Sequence, residues 1–489
     1  MADFMCDFAV VGAGSAGCVV AGRLSENFDN EVILFEAGPS NAEFPSISVP
    51  SEEASLRKTQ MDWQYEVIGG CCAHNSMVWS RGHAADFDSW ERLGANGWGW
   101  EGVLPYFLKL ENWKCDIYCD SPLHNEGGPI TITNHPECRT EASKLFVKSG
   151  TELGYNIIDI NGGQNIDIVN KRAVGIRFIQ DGKEKTCRVR KEVIVSGGTI
   201  QSPQLLMLSG IGPRAHLENH GITCIADLPV GQNLQDHIGV QLKADVEKRD
   251  SVHTLETTFA SCNNGNEAAA FVKTGHEPET SWPDIHIGAV SNFYTFGIDE
   301  PDGFPLNSKK FYPNMGYDMD REGRYRRAGM SFIPIVLHPR SVGEITLASS
   351  DPMQPPLIDP RYLEDPLDVE VLVEGIRIAK RCTETISMKT IGTKLLTLKM
   401  PDSHKAEFSD ENLEDFVRHF AFTLFHPVGT CKMGKMEDPT TVVDPQLRVH
   451  GISGLRVVDA SIMPHLTSGN TNAPCIMIGE KGADIIRNT

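Results

Sequence analysis

The chain has 489 residues, with 45 Lys and Arg against 65 Asp and Glu, for a formal charge of -20 at pH 7. That acidity repels phosphate backbones and anionic lipid surfaces, which argues against nucleic acid as a partner. No apolar run reaches the ~18 residues that a bilayer span needs, and the 13 cysteines, odd in number and scattered, suit a reduced compartment better than a disulfide framework.

The N-terminus, "MADFMCDFAVVGAG", has no basic leader and runs straight into an apolar stretch, so no secretory signal and a cytoplasmic location are expected. Phe8 to Val11 reads as a strand, Cys18 to Glu26 as a helix, and Val32 to Phe35 as a second strand ending at Glu36. Between the first two lie Gly12, Gly14 and Gly17 at G-x-G-x-x-G spacing. Such glycines serve a tight turn, close approach of a pyrophosphate and contact of helix with sheet, while a carboxylate such as Glu36 meets ribose hydroxyls. The phosphates would sit on a helix N-terminus, where N–H groups and the dipole favour anions. The segment predicts a dinucleotide site, and on its own it suits FAD and NAD equally.

Cys115, Cys119 and His124 are the nearest approach to a metal set, but no second pair accompanies them, so no metal is expected. Further on, "KEVIVSGGTIQSPQLLMLSGIGP" predicts a buried strand from Val193 to Ser196, then a helix with Ser202 as N-cap, Pro203 in the first helical position and Gly210 as the stop. "LPVGQNLQDH", Leu228 to His237, reads as polar and turn-rich. "PDIHIGAVSNFY" and "SFIPIVLHPRSVGEITLAS" alternate apolar and polar residues as antiparallel strands do. In the C-terminal part, "GLRVVDAS" predicts a short strand leading to a turn, and "NAPCIMIGEKGADII" a helix.

Five separated motifs, "GAGSAG", "GGCCAHNSMVWSRG", "SGGTIQSPQLLMLSGIGP", "NLQDH" and "HPVGTCKMG...GLRVVDASIMP...GNTNAP", stand in the order found in the glucose-methanol-choline oxidoreductases, and the chain strongly resembles that family from Asp7 almost to its C-terminus. The resemblance implies FAD as cofactor, a small-molecule alcohol as substrate, and oxygen or another acceptor to reoxidise the flavin. It implies a mixed α/β fold: a Rossmann-like FAD-binding domain from segments 1–140, 173–240 and 435–489, and a discontinuous substrate-binding domain on an antiparallel sheet from 141–172 and 241–434.

The same resemblance assigns residues. Gly12, Gly14, Ser15, Ala16, Gly17, Glu36, Ala37, Gly70, Asn75, Met77, Asp459, Ala460, Asn472 and Pro474 would contact FAD. His74 in "GGCCAHNS" matches the histidine that the choline oxidase branch bonds covalently to its flavin, so a histidyl link is expected there. His426 falls where the family places the histidine that takes the alcohol proton, and Asn470 where it places that histidine's partner. The residue types suit the work: a neutral imidazole accepts a proton, and an amide donates to a developing alkoxide without competing for it.

Three passages are shorter than the family's: before "IGGCC", from "DINGG" to "KRAVGIRF", and from "VEKRD" to "TTFASCN". The leading expectation is oxidation of a primary alcohol, conceivably a choline-like one, to an aldehyde. A flavin-containing hydroxynitrile lyase and a shortened, non-catalytic flavin-binding member are the alternatives.

Overall fold

The computed structural model describes residues 4–36, 78–115, 121–133, 171–180, 183–248, 251–252, 266–276, 282–290, 329–352, 354–396 and 412–489. Ala37, Gly70, His74, Asn75, Met77 and Cys119 lie outside them. The N-terminal elements are β1 (Phe4–Val11), α1 (Ser15–Ser25), β2 (Val32–Phe35), α2 (Ala84–Arg92), α3 (Trp100–Leu110), β3 (Glu111–Trp113) and β4 (Ile130–Ile132). Then follow β5 (Gly175–Gln180), β6 (Lys183–Val195), α4 (Gly198–Leu208), α5 (Arg214–Asn219), β7 (Gln232–Leu234), β8 (Ile238–Gly239), β9 (Leu242–Asp245), β10 (Asn266–Val272), β11 (Ile285–Val290), β12 (Gly329–Val336), β13 (Gly343–Thr346) and β14 (Leu357–Asp359). The C-terminal part adds α6 (Pro366–Thr383), α7 (Ile386–Lys389), β15 (Lys394–Leu395), α8 (Leu413–Phe420), β16 (Phe422–Thr423), β17 (Leu455–Val457) and α9 (Asn472–Arg487).

The expected mixed α/β fold is present. One sheet has the order β17-β6-β1-β2, all parallel, with β5 added antiparallel to the first half of β6. Parallel strands buried on both faces read as continuous apolar runs, and Phe8, Ala9 and Val10 on β1 with Val193, Ile194 and Val195 on β6 are all buried. The first strand starts at Phe4, earlier than its apolar run suggests, because the exposed Phe4 and Met5 pair with Cys187 and Arg188 in the middle of β6.

A second sheet of seven strands is antiparallel, with β11 and β12 at its centre. The alternation expected of β12 is absent: every residue from Gly329 to Val336 is buried. Proline normally avoids a central strand because it cannot donate to the ladder. Pro334 is accommodated because β12 changes neighbour there, pairing β9 through Gly329 to Phe332 and β8 through Ile335 and Val336. The "GEIT" piece belongs elsewhere, in a three-stranded sheet with β7 and β14. Helix α6 covers the second sheet, started by the Asp365 side chain, which accepts from Leu367 N–H at 2.9 Å, with Pro366 in the first turn.

Helix α4 corrects the expected Ser202 cap. It begins at Gly198 and runs through Pro203. A proline inside a helix leaves the carbonyl four residues earlier without its donor. Here that carbonyl, on Thr199, accepts instead from the Thr430 hydroxyl at 2.6 Å. Gly210, with φ +84, lies just past the helix end as anticipated.

The α2–α3 pair is joined by aromatic contacts: Phe87 lies 5.0 Å from Trp90, 5.7 Å from Trp100 and 5.7 Å from Phe107 between ring centroids. Phe87 is fully buried. Replacing Phe87 by Ala is expected to lower stability by about 3–5 kcal/mol, read as a shift of the denaturant midpoint of the α/β core.

Candidate active site

The glycine-rich turn after β1 closes tightly on the next strand. Gly12 has φ +103, and a Cβ there would stand 2.0 Å from the Ser196 carbonyl oxygen; a Cβ on Gly17 would stand 1.9 Å from the Gly12 carbonyl oxygen. Gly14, by contrast, faces open space. Helix α1 starts there with no side-chain cap and no acidic residue in its first turn, which includes the buried Ala16. Ala13 N–H in the same loop donates to the Glu36 carboxylate at 2.6 Å, so the loop amide already holds an anionic oxygen. The turn thus has the form of a pyrophosphate cradle.

Helix α9 also starts without a side-chain cap, and Ser15 Oγ donates to Asn472 Oδ1 at 2.7 Å, joining the starts of the two helices. Pro474 is buried in the first turn of α9. Asp459 and Ala460 lie at the start of a 3-10 turn, Ala460–Ile462. The Asp459 carboxylate accepts from Ser461 N–H at 2.7 Å, from Gly198 N–H at 3.2 Å and from the Ser202 hydroxyl. Its side chain therefore fixes the start of α4 beside the cradle.

His426 and Asn470 come together: Asn470 Nδ2 donates to His426 Nε2 at 3.2 Å, and both residues are partly exposed. His426 sits on a strained turn, with Phe425 at φ +61. Its backbone is held by the "NLQDH" segment. Asp236 Oδ1 accepts from His426 N–H at 2.8 Å, and Oδ2 accepts from Thr423 Oγ1 at 2.5 Å and Tyr362 O–H at 2.5 Å. Gln235 exchanges backbone hydrogen bonds with Val428, and its side chain donates to Pro464 O at 3.1 Å and accepts from Leu466 N–H at 3.2 Å. His237 places its Nδ1 2.9 Å from His426 Nδ1.

A second buried carboxylate holds the Asn470 turn. Asp86 accepts from Ser468 N–H at 2.8 Å, Ser468 Oγ at 2.7 Å, Trp282 Nε1 at 2.7 Å and His83 N–H at 2.7 Å. His338 Nε2 reaches both Ser468 Oγ and the Pro283 carbonyl at 3.0 Å. Residues of α2, the second sheet and the C-terminal turn thereby meet at one carboxylate.

The imidazoles here are neutral. Burial, and then the nearby His286, push His426 down to about 3. Burial drives His237 well below the ordinary range, and it takes His338 to about 3 and His286 to about 4. Burial raises Asp236 to about 6, against the lowering effect of its hydrogen bonds from Thr423, Tyr362 and the His426 backbone. Among the described residues no cluster of metal-ligating side chains occurs. Cys115 Sγ instead turns to the Ile132 carbonyl, and His124 stacks on Trp113 and pairs with Glu111.

Asp236, His237, Gln235 and Asp86 escaped the sequence reading because polar residues in turn-rich or helix-start segments read as surface. One signal was available for Asp86: it stands three residues after His83 in a reciprocal capping box at the start of α2.

The profile of the family described as GMC oxidoreductase matches the chain over residues 6–167 and 164–239 for its N-terminal part and 339–479 for its C-terminal part. Alcohol dehydrogenase (acceptor) of Pseudomonas putida is 34% identical over 556 aligned residues, covering 99% of this chain and 96% of that protein. The alignment is longer than the 489-residue chain, so that relative carries stretches absent here. Oxygen-dependent choline dehydrogenase of Sinorhizobium medicae is 32% identical, covering 98% of this chain and 95% of that protein. Among solved structures, formate oxidase of Aspergillus oryzae RIB40 matches with a TM-score of 0.83 at 26% identity, over 100% of this chain and 99% of that one. Among the described residues no helix is long and apolar enough to cross a membrane. The chain belongs to the GMC oxidoreductase family.

Proposed function

We propose that this oxidoreductase binds FAD and converts a primary alcohol to the aldehyde, with His426 taking the hydroxyl proton and Asn470 holding the alcohol oxygen. The observation that carries this reading is the 3.2 Å approach of Asn470 Nδ2 to His426 Nε2 across forty-odd residues of sequence, on two turns each fixed by a buried carboxylate. FAD supplies the acceptor for the α-hydrogen, which leaves with its bonding electrons. In this reading the cradle around Gly12, Gly14 and Gly17 takes the pyrophosphate, Glu36 a ribose, and the α9 start at Asn472 and Pro474 the ring. Ser15, Ala16, Asp459 and Ala460 are further FAD contacts in this reading.

The protein's own share is proton handling and orientation. Burial displaces the titration of His426 to about 3, so the ring is neutral before substrate binds. The Asn470 amide donates to the alcohol oxygen as negative charge grows on it, and an amide has no proton affinity with which to divert the transfer. A histidyl bond from His74 to the flavin and contacts from Ala37, Gly70, Asn75 and Met77 belong to the same reading.

Primary alcohols, choline among them, added anaerobically to the yellow holoprotein should bleach the flavin; a panel that leaves the spectrum unchanged would sink the proposal. In His426→Ala the bleaching should slow by about 10²–10⁴-fold while the protein stays yellow, and unaltered bleaching would remove the base assignment. Acid denaturation and desalting should leave flavin on the protein if His74 is linked; flavin that washes away completely rules out the link.

The acid limb of the bleaching rate is expected near pH 6, where Asp236 takes a proton and loses acceptor capacity for the His426 backbone. The sign for stability is opposite. The folded value lies above the ordinary 3.8, so the folded chain holds this proton more tightly than the unfolded one, and Asp236 opposes folding progressively as pH rises from about 4 through 6. A profile flat down to pH 5 would contradict the role given to Asp236.

A further inference from the structure

We propose that His237 fixes the tautomer of His426, accepting a hydrogen bond from His426 Nδ1–H and so leaving Nε2 bare toward Asn470 and the substrate. The inference rests on the reading of His426 as the proton acceptor and adds the residue that decides which ring nitrogen is available.

The geometry leaves two arrangements. Two ring nitrogens 2.9 Å apart share one proton. Were His237 the donor, neutral His426 would carry its own proton on Nε2, where it would face the Asn470 amide nitrogen at 3.2 Å, donor against donor. With His426 Nδ1 as donor both contacts of His426 are matched: Asn470 N–H to His426 Nε2, and His426 Nδ1–H to His237 Nδ1. The proton of His237 then belongs on Nε2, a buried atom that makes no full hydrogen bond and has the Leu337 backbone nearby. The two rings stand nearly perpendicular, at 86°, and the His237 residue is 1% exposed, so packing holds it in place.

Position in the chain reinforces the point. His237 immediately follows Asp236, whose carboxylate holds the His426 backbone, so one dipeptide sets both the place and the protonation of the base. The acceptor on Nδ1 is a neutral imidazole and not a carboxylate. When the alcohol O–H bond breaks and the N–H bond forms at Nε2, the resulting imidazolium keeps its Nδ1–H bond to His237. The contact at His426 Nδ1 is this neutral His237 ring, while the Asp236 carboxylate meets the His426 backbone.

Two variants separate this role from simple packing. Asn at position 237 can place its amide oxygen near the Nδ1 position and accept; Leu is of similar bulk and cannot. In the holoprotein, His237→Leu should lower kcat about 10²-fold with KM nearly unchanged, and His237→Asn should restore most of that loss. Equal losses in both variants, or full turnover in His237→Leu, would overturn the proposal. A second readout requires no turnover: in ¹⁵N-histidine-labelled wild-type holoprotein, the signals that His426→Gln lacks should show Nδ1 protonated and Nε2 not. A proton on Nε2 would overturn the tautomer assignment even if alcohols bleach the flavin, and absence of bleaching would count against the proposed function while leaving the tautomer result intact.

Discussion

The site depends on a carboxylate removed from water. Asp236 is 3% exposed and accepts hydrogen bonds from the Tyr362 hydroxyl, the Thr423 hydroxyl and the His426 backbone. A buried charge costs several kcal/mol unless its lone pairs are matched, and hydrogen bonds to a charged group return about 1.5–3 kcal/mol each. Asp236 is therefore tolerable only when these donors, together with the His237 backbone, are in place. The donors come from beyond β14, from β16 and from the strained turn at Phe425, so satisfying one carboxylate locates the base on the second sheet's rim.

Asp86 works in the same way on the opposite side. Its four donors come from the start of α2, from Trp282 ahead of β11 and from Ser468, and Asn470 follows two residues later. The base and its amide partner thus hang from separate buried carboxyl groups, and Gln235 ties the two turns together through Pro464 and Leu466. Reacting groups held this way are positioned before substrate arrives, which removes part of the entropic barrier to reaction.

Much of the scaffold was legible because it obeys local rules. The glycine triplet, the β2 strand ending at Glu36 and the α9 helix follow from turn chemistry and apolar spacing. The pairing of His426 with Asn470 did not follow from spacing, since neither residue carries a periodic signal; family resemblance placed them, and the fold brought them within 3.2 Å. Tertiary partners defeated the other local readings. The Thr430 hydroxyl lets α4 pass through Pro203, and the change of neighbour at Pro334 lets β12 run through a wholly buried position. "NLQDH" read as a polar turn because its value lies in what it holds: of the five residues from Asn233 to His237, four reach the 423–430 or 464–466 segments and Leu234 enters the core.

The claim that a buried anion fixes the base is tested most directly by Asp236→Asn. The neutral amide keeps the shape but offers one acceptor oxygen to donors that now meet two. The rate constant for anaerobic bleaching of bound flavin by alcohol should fall about 10–10²-fold, in line with a misplacement of the base by ~1 Å, with the flavin content of the protein unchanged. Bleaching at the wild-type rate in fully loaded Asp236→Asn would contradict it.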